Sequence, residues 1–198
     1  MSVLEKWEKS RRSKRSAAAK IAPAVLEGLE SRTLLSVGDL VAAPSLIVSP
    51  DASAGSIAGY SPAQIRSAYG FNSVQLGNGA VGAGQTIAIV DAYSDPNISG
   101  DLSTFDSQFG LGAAGLKVVS ETGSTTSLPA SNAGWDLEIS LDVEWAHAVA
   151  PGASILLVEA NSSSLGDLLT AVNYARNAAG VSVVSMSWGA GEFSSETA

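Results

Sequence analysis

Four carboxylates stand within nine residues of the stretch GWDLEISLDVEWAHAVAP (134–151): Asp136, Glu138, Asp142 and Glu144, with no lysine or arginine among them. Read as a helix, the stretch puts Glu138 and Asp142 one turn apart on a shared face, about 40° from each other at 100° per residue. Like charges at that spacing destabilise an isolated helix by about 0.2–0.5 kcal/mol. Helix-dipole complementarity accounts for Asp136 and Glu138, which fall in the first turn, where negative charge is favourable. It does not account for Asp142 in mid-helix, on the side that also carries Trp145. Two carboxylates on a partly apolar face share a proton and titrate in separated steps. One of them can then act as a base in acid while the other holds it. Binding a hard cation is the other use of such oxygen ligands, but the sequence contains no Asp-x-Asp-x-Asp-Gly loop.

Two further patterns invite chemistry and are set aside. His147 is the one histidine, and Asp91 ends an apolar run, so a Ser-His-Asp arrangement has to be tested. Helical geometry puts His147 about 140° from Asp142 and on the opposite side of the helix from Glu138, so it reads as a partly buried structural residue. GNGAVG (77–82) matches GxGxxG, yet its glycines precede a strand instead of following one, so it is a loop and not a dinucleotide fingerprint.

The elements that must position these residues alternate. QTIAIVDAY (85–93), LKVVSE (116–121), SILLVEA (154–160) and VSVVSMSW (181–188) read as strands. Helices are predicted over 97–110, from about Asp136 to Val149, and over 164–180, the last opened by Ser164 and Asp167 and closed by Gly180. The strands are continuous apolar runs, which predicts a parallel sheet covered on both faces. Ligands of such sheets bind beyond the carboxyl ends of the strands, where Asp91, the Glu138 region and Ser187-Trp188-Gly189 fall.

Composition sets the outer limits. The chain has 198 residues, 45% hydrophobic and 15% charged, enough for one core. It has no cysteine, which excludes a disulfide scaffold, a thiol nucleophile and a thiolate metal site. No apolar run approaches the roughly 20 residues of a membrane span. The net charge of −8 is unevenly divided: residues 1–32 carry +4 and the remainder −12. An acidic body argues against nucleic-acid binding, and KSRRSKRS (9–16) reads as a solvated or targeting tail. Residues 36–58, rich in Ala, Ser, Pro and Gly, read as a linker between the basic, amphipathic segment 1–35 and a packed domain over 59–198.

At the acidic helix the sequence resembles a known family. E-x-x-x-D followed by VEWAHAVAPGA is similar to the catalytic helix of the sedolisins, serine-carboxyl peptidases with a subtilisin-like fold. GYSPAQIRSAYGF (59–71) resembles the start of the family's mature domain, GAGQTIAIVDAY its first core strand, and VSVVSMSWG its substrate-pairing strand. Together they cover about residues 59–190 in the family's order. The resemblance implies an α/β, subtilisin-like doubly wound parallel sheet, truncated after about four strands, and endopeptidase activity on proteins at acid pH. Glu138 would be the general base and Asp142 its partner. Ser187, Trp188 and Gly189 would line the cleft, with Gly189 leaving backbone open for an added substrate strand, and Asp91 would be a secondary cleft-lining residue.

The departures are as specific. The family's Gly-Thr-Ser nucleophile motif does not occur, and neither Ser194 nor Ser195 has that context. The oxyanion aspartate and the calcium ligands of the family would fall after Ala198, so no cofactor is assigned to this chain, which is expected to be an N-terminal portion and inactive alone. LESRTLL (29–35) resembles the LEPR-x-LL element of bacterial extracellular proteins, with Ser31 in place of proline, and implies export. The partner implied is a polypeptide substrate. The competing expectation is a non-catalytic, secreted binding or surface protein that reuses half of a peptidase fold.

Overall fold

The computed structural model describes residues 40–44, 59–74 and 80–191. The basic tail, LESRTLL, most of the linker, and Ser194 and Ser195 lie outside the described residues. In chain order the elements are β1 (Ala43–Pro44), α1 (Pro62–Ala68), a 3-10 turn (Phe71–Ser73), β2 (Thr86–Ala92), α2 (Ile98–Phe109), β3 (Gly115–Ser120), α3 (Ala133–Val149), β4 (Ser154–Ala160), α4 (Leu165–Asn177), β5 (Val181–Ser185) and β6 (Trp188–Gly189).

The apolar runs TIAIVDA and SILLVEA become the two central strands of a four-stranded parallel sheet in the order β3-β4-β2-β5. β2 and β4 run in register from Thr86 opposite Ser154 to Ala92 opposite Ala160. Ile89, Val90, Leu157 and Val158 are sealed from solvent, so neither face of these strands is wet. α3 packs on β2 and β4, and α2 packs on α3, with Phe105 edge-on to Trp145 at 6.3 Å between ring centroids. α4 covers β2, β4 and β5 from the other face and brings the small residues Ala171 and Ala175 close to the sheet. The doubly wound α/β architecture is therefore present. One consequence is topological. β2-α2-β3 and β3-α3-β4 move in opposite directions along the sheet with their helices on one side, so the two crossovers have opposite hands, against the usual right-handed rule.

Three boundaries differ from the sequence expectation. α3 begins at Ala133, three residues early, because the Asn132 side chain accepts a hydrogen bond from the Gly134 amide (2.9 Å) and caps the helix there. The run VSVVSMSW is not one strand: β5 stops at Ser185, and Trp188–Gly189 pairs separately with β1. α4 ends at Asn177, and Gly180, at φ +84°, forms the turn into β5 instead of the helix cap. α1 was not assigned from sequence, although Ser61 and Gln64 form a complete capping box ahead of it.

The glycine-rich loop has a packing role. Its described part, 80–82, lies against the turn before β4, with the Gly152 amide donating to the Val81 carbonyl (2.9 Å). A Cβ at Gly82 would stand 2.9 Å from that of Ala153, and one at Gly152 would stand 2.8 Å from the Ala80 carbonyl oxygen, so both glycines permit backbone contact.

Candidate active site

The carboxyl ends of the central strands are unusually acidic. Asp91 on β2 and Glu159 on β4 stand directly opposite one another in the parallel register, and both side chains are fully buried. Alternation along the strand turns Asp91 toward α3, where Glu138 is also sealed, at 1% exposure, and Asp142 is half-buried one turn further on. Four carboxylates from three elements thus meet at one end of the sheet.

Burial, more than any one neighbour, pushes Asp91, Asp142 and Glu159 toward their neutral forms. Asp91 is raised well above the ordinary aspartate range, first by desolvation and then by the charges of Asp142, Glu138 and Glu159. Neither of its oxygens accepts a hydrogen bond among the described residues. Asp142 is raised by burial, lowered in part by the Ser187 hydroxyl, and raised again by Glu138. The Ser187 hydroxyl donates to Asp142 Oδ1 at 2.9 Å. Glu159 is pushed up to about 7 by burial, an effect partly offset by the neighbouring Ser94 hydroxyl and Asp95 amide, although neither of its oxygens accepts a well-formed hydrogen bond among the described residues. Ser94 and Asp95 lie in the turn after β2, where Tyr93 takes a left-handed conformation (φ 63°) that only a few per cent of non-glycine residues adopt.

Trp188 folds back over the same strand end, its indole N–H donating to the Val90 carbonyl at 2.8 Å. The structure thus brings Asp91, Glu138, Asp142, Ser187 and Trp188 to one place. Gly189 is exposed and paired with the chain's own Ala43. Glu159 was missed from sequence because it sits inside an apolar strand. The available signal was its position as the one charge in SILLVEA, five residues into that strand, as Asp91 is in TIAIVDA.

The remaining acids belong elsewhere. Asp136 is raised by burial and by Asp95 and Asp101, and Glu144 is raised to about 7 by burial and by Asp101 and Asp106. Both face α2 or the loop before it. His147 is completely buried at the far end of α3, its Nε2 2.7 Å from the Gly112 carbonyl oxygen and 3.3 Å from Asp106 Oδ1. It is remote from the strand-end cluster in role and in hydrogen bonding. Among the described residues no group of three or more His, Cys, Asp or Glu side chains is arranged to hold a metal ion. Also among them, no helix is long and apolar enough to cross a membrane.

A cluster of this kind can take up and release a proton in acid. Buried carboxyls packed together cannot all ionise, so the charge they carry is shared and the affinity of each for a proton depends on the others. Glu138 and Asp142, from one helix face, lie near enough to Asp91 for their charges to raise it, and the Ser187 hydroxyl anchors one oxygen of Asp142.

No model of a known protein family matches the chain. Kumamolisin of Bacillus sp. (strain MN-32), a sedolisin-family protein, is 33% identical over 139 residues, which is 67% of this chain and 23% of the relative. The solved structure of Pseudomonas sedolisin, a serine-carboxyl proteinase complexed with two molecules of pseudo-iodotyrostatin, is 25% identical, covers 53% of this chain and 30% of that one, and has a TM-score of 0.45. The chain is sedolisin-like in sequence and spans 23% of the length of the curated relative it matches.

Proposed function

We propose that this chain supplies the general-base half of a serine-carboxyl endopeptidase that cleaves proteins at acid pH. Glu138 removes the proton of the attacking serine, and Asp142 holds Glu138 and shares its charge. Asp91 lies behind them as a third acid whose proton affinity responds to both. A glutamate of ordinary pKa, about 4.3, remains ionised in acid where an imidazole is already protonated and no longer a base. The observation that carries this reading is the burial of Asp91 and Glu138 at the carboxyl ends of the sheet, with Asp142 half-buried beside them and tied by Ser187 to the segment before β6.

Ser187, Trp188 and Gly189 line the substrate cleft in this reading. The serine nucleophile and the oxyanion acid are not assigned to any residue here, and the 198-residue chain alone is proposed to be inactive. No calcium ligand is assigned to any residue here. The protein is placed outside the cell, on the strength of LESRTLL and the family resemblance.

The test is peptidase activity in a version of the protein that includes a Gly-Thr-Ser nucleophile. Glu138→Gln is expected to lower the rate by about 10²–10⁴-fold, the usual worth of a positioned general base. Asp142→Ala should lower the rate and also move the pH profile. An unchanged profile in Asp142→Ala would overturn the pairing.

A further inference from the structure

Glu159 is the one acid of the strand-end cluster to which the proposed chemistry gives no task. It stands directly opposite Asp91 in the parallel register of β2 and β4. Residues paired in this way project from the same face of a sheet, on strands about 4.8 Å apart. Both side chains are fully buried, and none of their four oxygens accepts a hydrogen bond among the described residues.

The charged groups that act on this pair are all acids. α3 contributes Glu138 and Asp142, and the turn after β2 contributes Asp95. Glu121, just past the end of β3, is taken up by the backbone and side-chain amides of Asn161, at 2.9 and 2.6 Å. The basic side chains of the described residues are engaged elsewhere. Arg66 donates to the Ala148 and Val149 carbonyls, Arg176 donates to Asn173, His147 is held at Gly112, and Lys117 is exposed. Two buried carboxylates side by side with no cation cannot both stay ionised. One proton taken from solvent and held between them halves the charge and supplies the missing donor in a single step. A hydrogen bond from a carboxyl to a carboxylate is short, about 2.5–2.7 Å, and roughly twice as strong as one between neutral groups.

We propose that Asp91 and Glu159 hold a single proton between them through the acid range, and that Glu159 is thereby a positioning residue for Glu138 and Asp142. Only the second half of the inference rests on the peptidase reading. The pair carries one negative charge behind Glu138 and Asp142, and that charge raises the proton affinity of both. Glu159 thus helps to set the pH at which the base ionises, without touching substrate.

The test of the shared proton uses the full chain, with carboxyl and proton NMR from pH 2 to 9. The parent should show a far-downfield proton resonance in a cooled sample, the mark of a short carboxyl–carboxylate bond. Glu159→Gln keeps the shape and removes the acid. It should abolish that resonance and lower the proton affinity of Asp91 about tenfold or more. A parent without the resonance, or an Asp91 midpoint that Glu159→Gln leaves in place, overturns the shared proton. Should Glu159→Gln fail to fold, Asp91→Asn is read at Glu159, whose midpoint should fall below its value of about 7. An unmoved Glu159 overturns the proposal equally. Calcium chloride that raises the melting temperature of the parent at pH 8, but not that of Glu159→Gln, would put a cation where the proton is proposed and overturn it too. The positioning role is read in a version that includes a Gly-Thr-Ser nucleophile, where Glu159→Gln should move the acid limb of the pH–kcat profile to lower pH. An unmoved limb overturns that role. Should Asp142→Ala leave the profile unchanged, the general-base pairing fails while the shared proton, read without catalysis, stands.

Discussion

The two ends of α3 bury titratable groups in opposite ways. At the His147 end, one imidazole meets a backbone carbonyl and a carboxylate of opposite potential charge, Gly112 and Asp106. The imidazole Nε2 thus has complementary partners that join α3 to α2, although His147 Nδ1 has no hydrogen-bond partner among the described residues. At the Glu138 end, acids from α3, β2 and β4 are packed against one another, with Ser187 as one of the few donors. Nothing in the stability of a fold calls for that second arrangement. It raises the free energy of the ionised state, and it makes each proton affinity depend on its neighbours. Within one helix, complementary burial serves the fold, and like-charge burial is the arrangement that the chemistry proposed for Glu138 and Asp142 would use.

Removing the complementary end should have the larger effect on stability. His147→Ala deletes a fully buried ring and leaves the Gly112 carbonyl without that donor, and about 3 kcal/mol of destabilisation is expected from cavity and lost hydrogen bond together. Chemical denaturation would show it as a lower midpoint at every pH, and a variant as stable as the parent would undo the structural reading of His147.

The acidic end should respond with the opposite sign, and only at the higher pH. A carboxyl whose folded pKa is raised binds more protons in the native state than in the unfolded one. Its burden is therefore absent below the unfolded pKa and grows as pH rises toward the folded pKa. For Glu159 that window runs from about 4.3 in the unfolded chain up to about 7 in the folded one. The parent should accordingly melt at a lower temperature at pH 8 than at pH 4. Glu159→Gln should recover about 2–3 kcal/mol at pH 8 and next to nothing at pH 4, which is the span from about 4.3 to about 7 discounted for solvent screening. Thermal unfolding of both chains at the two pH values decides it, and a gain that is equal at both would contradict the account.

Smaller effects sharpen the comparison further. Trp188→Phe keeps the ring but loses the bond to the Val90 carbonyl, for about 1 kcal/mol. Its midpoint in urea would test that. Ser187→Ala should leave stability nearly unchanged while raising the proton affinity of Asp142, because the hydroxyl now favours the ionised form. A lowered affinity, read by carboxyl NMR, would show that the hydroxyl acts otherwise.

Much of this arrangement is legible in the sequence, for identifiable reasons. Continuous apolar runs alternating with helical segments yield a parallel sheet, because its strands are dry on both faces, and β2 and β4 are. Glu138 and Asp142 are legible because four residues make one helical turn. What the sequence does not carry is long-range register. Asp91 and Glu159 become neighbours only when β2 and β4 pair, 68 positions apart, and TIAIVDA and SILLVEA separately are ordinary strands. The strand at Ala43–Pro44 is hidden for the same reason, since its partner lies beyond residue 187 and its own composition is that of a linker. The helix start at Ala133 escapes because Ser-Asn-Ala-Gly reads as a turn until the Asn132 cap is seen.

The central claim is that Asp91, Glu138 and Asp142 form one coupled acid cluster, and site-resolved carboxyl NMR of this chain from pH 2 to 9 tests it most directly. The account predicts that Asp91 and Asp142 titrate above the ordinary aspartate range, and that Asp142→Asn lowers the midpoint of Asp91 by removing a neighbouring charge. An Asp91 that titrates in the ordinary range and ignores the substitution at Asp142 would contradict it.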